Sequence, residues 1–259
     1  MTARTKVHEW LEKTGFPLEM SAAASFRRAG FFVRQSSTYP DPQTEKGREI
    51  DVLASDSDFL GDFETSFVIE CKASKKPWVV LKSSDALAAY NRLFAFAVMT
   101  QPAREAVIKA WDRGAPVKQY IQREDSGGYG FRQAFSEADA DPAYTSAINV
   151  LKACQGLTAA RRMPGVPESK HVAFPVIVVD APLFECSLLD DGSLDLTEVA
   201  QSEFLFTAHL PTALGCCIRV VTKPHLVAFS AYARSVAQAL RNDVADIRTR
   251  TVPEDEGSI

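Results

Sequence analysis

The chain has 259 residues, of which 46% are hydrophobic and 24% charged, and a formal net charge of −4. This excludes a disordered or low-complexity chain and supplies enough apolar material for a core without disulfide staples. The acidic balance excludes a uniformly basic nucleic-acid coat, so any nucleic-acid surface must be local.

The five cysteines include no CxxC pair, and Cys216 and Cys217 are adjacent. A zinc site or disulfide framework is therefore not expected, and a reducing cytoplasm is the expected compartment. Residues 1–13 mix polar and charged side chains without the apolar stretch of a signal peptide. The longest apolar run, Val172 to Val179, is too short to cross a membrane.

In chain order, Pro17 to Ala29 reads as a helix closed by Gly30. Phe31 to Gln35 reads as a short strand, followed by a polar connection from Ser36 to Gly47. A strand over Arg48 to Ser55, an acidic loop through Glu64 and a strand over Phe67 to Ala73 come next. Val79 to Leu81 is a further short strand. Ser84 to Asp112 reads as helix, divided at Pro102.

Residues 113–142 read as an irregular insertion. Within it, Gly127-Gly128-Tyr129-Gly130-Phe131 suggests a surface loop, since it lacks the GxxxxGK[ST] pattern of a phosphate cradle. Pro142 to Arg162 reads as helix. Val172 to Asp180 carries the strongest β signal, a strand buried on both faces. Asp190-Asp191-Gly192 marks a hairpin turn into Leu194 to Val199, with strands over Phe204 to Ala208 and Cys217 to Thr222. A closing helix from His225 or Ser230 to Asp246 precedes a disordered tail over 248–259. The pattern gives one α/β domain over 1–247, a mixed central β-sheet flanked by helices with additional C-terminal strands and helix.

Three charges interrupt the apolar strands: Asp51, Glu70 and Lys72. Such groups are costly unless they are paired or bind a metal. Strand alternation puts Glu70 and Lys72 on one face and Phe67, Ile69, Cys71 and Ala73 on the other; Ile50, Val52 and Ala54 would form the apolar face of the neighbouring strand. If the strands are adjacent, Asp51 approaches Glu70, and two carboxylates so placed repel without a cation between them. Mg²⁺, or Mn²⁺, suits one or two carboxylates plus water and phosphate oxygens, and the Cys71 backbone carbonyl could add an oxygen. Glu19 heads a helical stripe with Ala22, Ala23 and Phe26. It could reach this site, or simply sit at a helix N-terminus favoured by the macrodipole.

This arrangement resembles the PD-(D/E)XK nuclease superfamily, with its restriction-endonuclease-like fold. The matching parts are Glu19 on the first helix, Asp51 on the second strand, Glu70-Cys71-Lys72 on the third, and the order helix–strand–strand–strand–helix, with Val172 to Asp180 as a later core strand. The resemblance covers residues 16–100 closely and the remainder by architecture.

It implies that Asp51 and Glu70 are metal ligands, that Lys72 orients or activates the attacking water, and that Glu19 is an auxiliary ligand. It further implies Mg²⁺-dependent phosphodiester hydrolysis of nucleic acid, DNA ahead of RNA, in a defence or DNA-processing setting. A homodimer or an activating protein partner would fit cleavage of both strands. The competing expectation is a non-catalytic nucleic-acid- or protein-binding module that keeps the nuclease fold.

Around the site, Lys75, Lys76, Gln35 and Arg48 are candidate substrate contacts. For the lysines the alternative is a solvated surface, and for Arg48 an ion pair. Trp78 could stack a base or pack in the core, and Tyr39 could line the cleft. His8, His171, His209 and His225 lack metal spacing, and Asp180 reads as a strand-end turn residue.

Overall fold

In the computed structural model, which describes residues 1–84, 94–116, 118–122, 127–136, 141–159, 169–209 and 213–249, the chain opens with helices α1 (Ala3–Leu11) and α2 (Phe16–Arg28). Strands β1 (Phe32–Pro40), β2 (Gly47–Ser57), β3 (Phe63–Lys72), β4 (Trp78–Ser83) and β5 (Val98–Met99) follow, then α3 (Gln101–Asp112), α4 (Lys118–Ile121) and β6 (Gly127–Gln133). The second part holds α5 (Pro142–Ala159), β7 (Lys170–Val179), β8 (Leu183–Leu188), β9 (Leu194–Val199), β10 (Gln201–His209), β11 (Ala213–Thr222) and, after a single 3₁₀ turn, α6 (Leu226–Thr249). The protein is α/β, with one large mixed sheet flanked by helices.

The sheet order is β1-β2-β3-β7-β11-β10-β6-β4-β8-β9, and β5 pairs with β7 off this path. β1, β2 and β3 form an antiparallel meander, and β7 joins parallel to β3, with β11 parallel to β7 on its other side. β7 thus has strands on both edges and helices over both faces, which is why its apolar residues run without alternation.

One face of the sheet packs on α2, α3 and α6. There Ala22, Ala23 and Phe26 meet Val52, Ala54, Phe67, Ile69 and Val176. Phe67 is the hub: its ring lies 4.9 Å from Phe174, 5.6 Å from Phe31 and 5.9 Å from Phe26. The other face packs on α5, through Ala147, Val150, Leu151 and Cys154 against Ile50, Leu53, Val68 and Ile177. Each such fully buried aromatic or large aliphatic side chain contributes about 1.5–3 kcal/mol of transfer free energy.

Several expected elements differ in extent or kind. Pro102 does not divide a helix but lies in the first turn of α3, whose N-cap Thr100 accepts the Ala103 N–H. The missing proline donor is harmless there. Residues 85–93, also expected as helix, lie outside the described residues.

The glycine-rich run is strand β6 rather than a surface loop. A Cβ at Gly128 would strike the Glu203 carbonyl and the Phe204 side chain, so Gly128 permits close strand packing. Beside it, Trp78, Phe131 and Phe204 stack with centroids 4.9 Å apart. Helix α6 runs three residues beyond Asp246, into the expected tail, and 250–259 lie outside the described residues. Among the described residues no helix is long and apolar enough to cross a membrane.

Candidate functional site

The ladder between β2 and β3 stops at the pair Val52–Ile69, while β3 continues alongside β7 through Glu70, Cys71 and Lys72. The two strands therefore part, and Asp51 stands at the fork. Its Oδ2 accepts the Cys71 N–H at 2.7 Å, taking the donor that a further ladder pair would have used. On β1, Ser36 adopts φ 50°, and the β1–β2 register leaves Ser36 and Asp51 unpaired between Gln35–Val52 and Ser37–Ile50.

This local irregularity reverses the alternation of β2. Ile50 packs on the α5 side, whereas Val52 and Ala54 pack on the α2 side. The uniform apolar face expected for Ile50, Val52 and Ala54 is thus split at Asp51. Ala73, also expected in the core, is exposed.

Glu70 lies on the α5 face with Val68. Its Oε1 receives the Lys72 ammonium at 2.8 Å and, more weakly, the Asn149 side-chain amide at 3.4 Å. Glu19 approaches round the end of the sheet from α2, half-buried, at the head of the stripe Ala22, Ala23 and Phe26. The four expected residues therefore do meet at one end of the sheet, from three directions.

The electrostatics record this crowding of carboxylates. Burial, then the Glu70 charge, push the Asp51 carboxyl up to about 7, against the lowering effect of the Cys71 N–H, with Glu19 adding to the rise. Burial, then Glu49 and Glu70, raise Glu19 above its ordinary value, with Lys72 opposing. Burial, then Asp51, push the Cys71 thiol well above its usual range, which keeps it a neutral, inert group.

A hard divalent cation would relieve this repulsion. Asp51 Oδ1 and Glu70 Oε2 carry no hydrogen bond within the described structure, and the Cys71 carbonyl shares the strand edge that its N–H presents to the fork. This donor set fits Mg²⁺ or Mn²⁺ as an open two-carboxylate site. It does not fit a closed cage: among the described residues no three His, Cys, Asp or Glu side chains converge on one point. Glu19 acts on Asp51 and Glu70 as a nearby charge.

The surrounding candidates separate. Lys75 is exposed just past the end of β3. Lys76 donates its ammonium to the Phe135 carbonyl at 2.8 Å, pointing toward the end of β6. Gln35 accepts from Arg27 at 3.1 Å on the exposed edge of β1. Arg48 pairs with Asp41 at 3.2 Å. Trp78 is buried at 1% exposure and stacked on Phe131, so it cannot stack a base. Asp180 pairs with Lys223 at 2.8 Å, and His171 is buried against Ser66.

Three residues of the site's support escaped the sequence reading. Asn149 and Lys152 project from α5, one toward Glu70 and the other onto Asp41 at 3.2 Å. Asp41 is buried and also accepts the Gln43 and Thr44 N–H groups at 2.9 and 3.2 Å. Together they tie the β1–β2 loop to α5 beside Tyr39, whose hydroxyl burial and Asp41 push up to about 12. Asn149 and Lys152 lie at i and i+3 on α5 among other polar residues such as Ser146 and Gln155, so spacing alone does not set them apart.

Comparison with protein-family models, with curated proteins and with solved structures finds no match for this chain.

Proposed function

We propose that this chain is a divalent-metal-dependent nuclease of the restriction-endonuclease-like type, hydrolysing phosphodiester bonds of nucleic acid, with DNA ahead of RNA. The observation that carries the reading is the fork between β2 and β3, where burial and the Glu70 charge raise the Asp51 carboxyl and Lys72 stands paired with Glu70. The antiparallel meander carrying these residues, followed by β7 parallel to β3, supports the fold assignment.

In this reading Asp51 and Glu70 would hold Mg²⁺ or Mn²⁺, which when bound polarises a phosphate oxygen and lowers the pKa of bound water. Lys72 is 29% exposed at its side chain and reaches solvent from the same face as Glu70. Its ammonium orients the attacking water and stabilises charge developing on the phosphate. Asn149 positions Glu70 rather than reacting. Lys75, at the open end of β3, is the basic group best placed to meet a phosphate backbone. Cutting both strands of a duplex needs two such sites, hence a second copy or an activating partner.

A second reading, a non-catalytic binding module, draws on the Glu70–Lys72 ion pair and the lack of a three-ligand cluster among the described residues. One experiment separates them. Purified protein is assayed on duplex DNA, single-stranded DNA and RNA with Mg²⁺ or Mn²⁺, alongside Lys72→Ala and Glu70→Ala. Metal-dependent cleavage lost in both variants supports the nuclease; cleavage that persists in both removes this site from consideration.

A further inference from the structure

A second site lies on the α6 face of β11, where Arg219 interrupts the apolar run Cys216 to Val221. Its guanidinium carbon sits 4.1 Å from the Phe96 ring centroid and 5.5 Å from that of Tyr232. One amino group donates to the Tyr232 hydroxyl at 3.4 Å. The two rings flank the guanidinium, and beyond the Tyr232 contact its other N–H groups have no hydrogen-bond partner among the described residues. Glu203 is its direct cross-strand neighbour, yet among the described residues Arg219 has no carboxylate within ion-pair distance.

That edge borders a cavity of about 400 Å³, lined by Gln119, Gln122, Gln201, Glu203 and His225 as well as Arg219. This volume is at the small end of ligand clefts, roughly 300–1,000 Å³. Among the described residues, none of these five other polar side chains has a hydrogen-bond or ion-pair partner. A clamped guanidinium facing five uncommitted polar groups is a preorganised recognition surface, because little rotamer entropy remains to be lost by the arginine on binding.

The donor set selects the ligand. A planar guanidinium flanked by two rings can present paired N–H groups to an oxyanion such as phosphate. A bare phosphate would leave three amides unused and would face the Glu203 carboxylate. Glutamine amides offer a donor and an acceptor side by side, the complement of a heterocyclic base edge, and a carboxylate accepts from an exocyclic amine or a sugar hydroxyl. From these groups we infer that the cavity binds a nucleoside monophosphate, its phosphate on Arg219 and its base edge on the glutamines. The inference does not depend on the nuclease reading, since its residues lie on β10 and β11, at the end of α4, in the 3₁₀ turn before α6, on α6 and just before β5, and not at the β2–β3 fork.

The test is calorimetric titration of the full chain, without metal, with AMP, GMP, CMP and UMP in separate runs, and with ribose 5-phosphate and inorganic phosphate. The expected result is saturable binding of at least one nucleotide, about tenfold or more tighter than either phosphate control. Arg219→Lys, which keeps the charge but not the fork, and Gln201→Ala, an exposed position, should each weaken it about tenfold. Melting curves confirm that both variants fold. Asp51→Asn should leave nucleotide affinity unchanged, which separates this site from the fork. Any of three results overturns the inference: no nucleotide binding up to millimolar concentration, equal affinity for inorganic phosphate, or affinity unaltered by Arg219→Lys.

Discussion

The Asp51 carboxylate accepts the Cys71 N–H at 2.7 Å, so a side chain takes over where a backbone ladder ends. The hydrogen bond is local, but its consequence is wider. It holds a carboxylate at the fork between β2 and β3, close enough to Glu70, Glu19 and Lys72 to feel their charges.

Asp51→Asn should stabilise the metal-free protein at alkaline pH. The folded-state value of about 7 lies above the ordinary 3.8, so the folded state binds the proton more tightly than the unfolded chain. The resulting contribution is complete below pH 3.8 and is lost as pH rises through about 7. Asparagine keeps an oxygen for the Cys71 N–H without the charge. Melting temperatures of the two proteins should therefore diverge across this window, variant above wild type at pH 8, with an upper bound of about 4 kcal/mol. Parallel curves from pH 4 to 8 would contradict the crowding of charge described here.

Mg²⁺ or Mn²⁺ should raise the melting temperature of the wild type, and more at pH 8 than at pH 5, because protonated Asp51 competes with the cation. Saturation at a hundredfold excess over Kd corresponds to about 2.7 kcal/mol. The shift should vanish in Asp51→Asn and shrink in Glu70→Gln. An equal metal response in wild type and Asp51→Asn would place the cation elsewhere.

The site was legible in the sequence where a charge broke an apolar period. Asp51, Glu70 and Lys72 stand out against β-branched neighbours, and Glu19 against an alanine stripe. The succession of three strands was legible in its apolar runs, though not their antiparallel pairing, and the doubly buried strand β7 in its unbroken one. Arg219 breaks the apolar run Cys216 to Val221 in the same way.

The supporting residues were not legible. A polar residue on each turn of α5, or an aspartate in a proline-rich connection, looks like surface until tertiary contacts show that Lys152 meets Asp41. The glycines of β6 read as loop because only the facing strands reveal that Gly128 has no room for a Cβ.

Gly156→Ala should disturb the site from a distance. A Cβ there would lie 2.7 Å from both the Pro40 carbonyl and the Tyr39 ring. The first is backbone and cannot rotate away, so α5 must lift from the β1–β2 hairpin, at about 1–3 kcal/mol. Because α5 carries Asn149 and Lys152, the proposed nuclease activity should fall as well. Gly130→Ala is the control: its Cβ would meet only the flexible Leu81 side chain, at 3.4 Å. Denaturant midpoints that move equally for the two variants would show that the α5 contact is not the tight one.

Asp41→Asn tests whether the β1–β2 loop is anchored by charge. Burial alone would raise the Asp41 carboxyl, but the Gln43 N–H, Lys152 and the Thr44 N–H together hold it below the ordinary 3.8. Its contribution to stability is therefore full above pH 3.8 and declines as pH falls through the folded value. Asparagine can still accept from the loop backbone, yet it leaves the Lys152 ammonium, 14% exposed at its side chain, without its partner. Removing one partner of this pair leaves the other's desolvation uncompensated, so the variant loses stability. Arg48, 56% exposed, adds little to the effect. The variant should melt below wild type at pH 7, and the gap should close toward pH 2 as the wild-type carboxylate takes up its proton. A gap that stayed constant with pH would mean that the loop is held by its backbone hydrogen bonds and not by the Asp41–Lys152 charge pair.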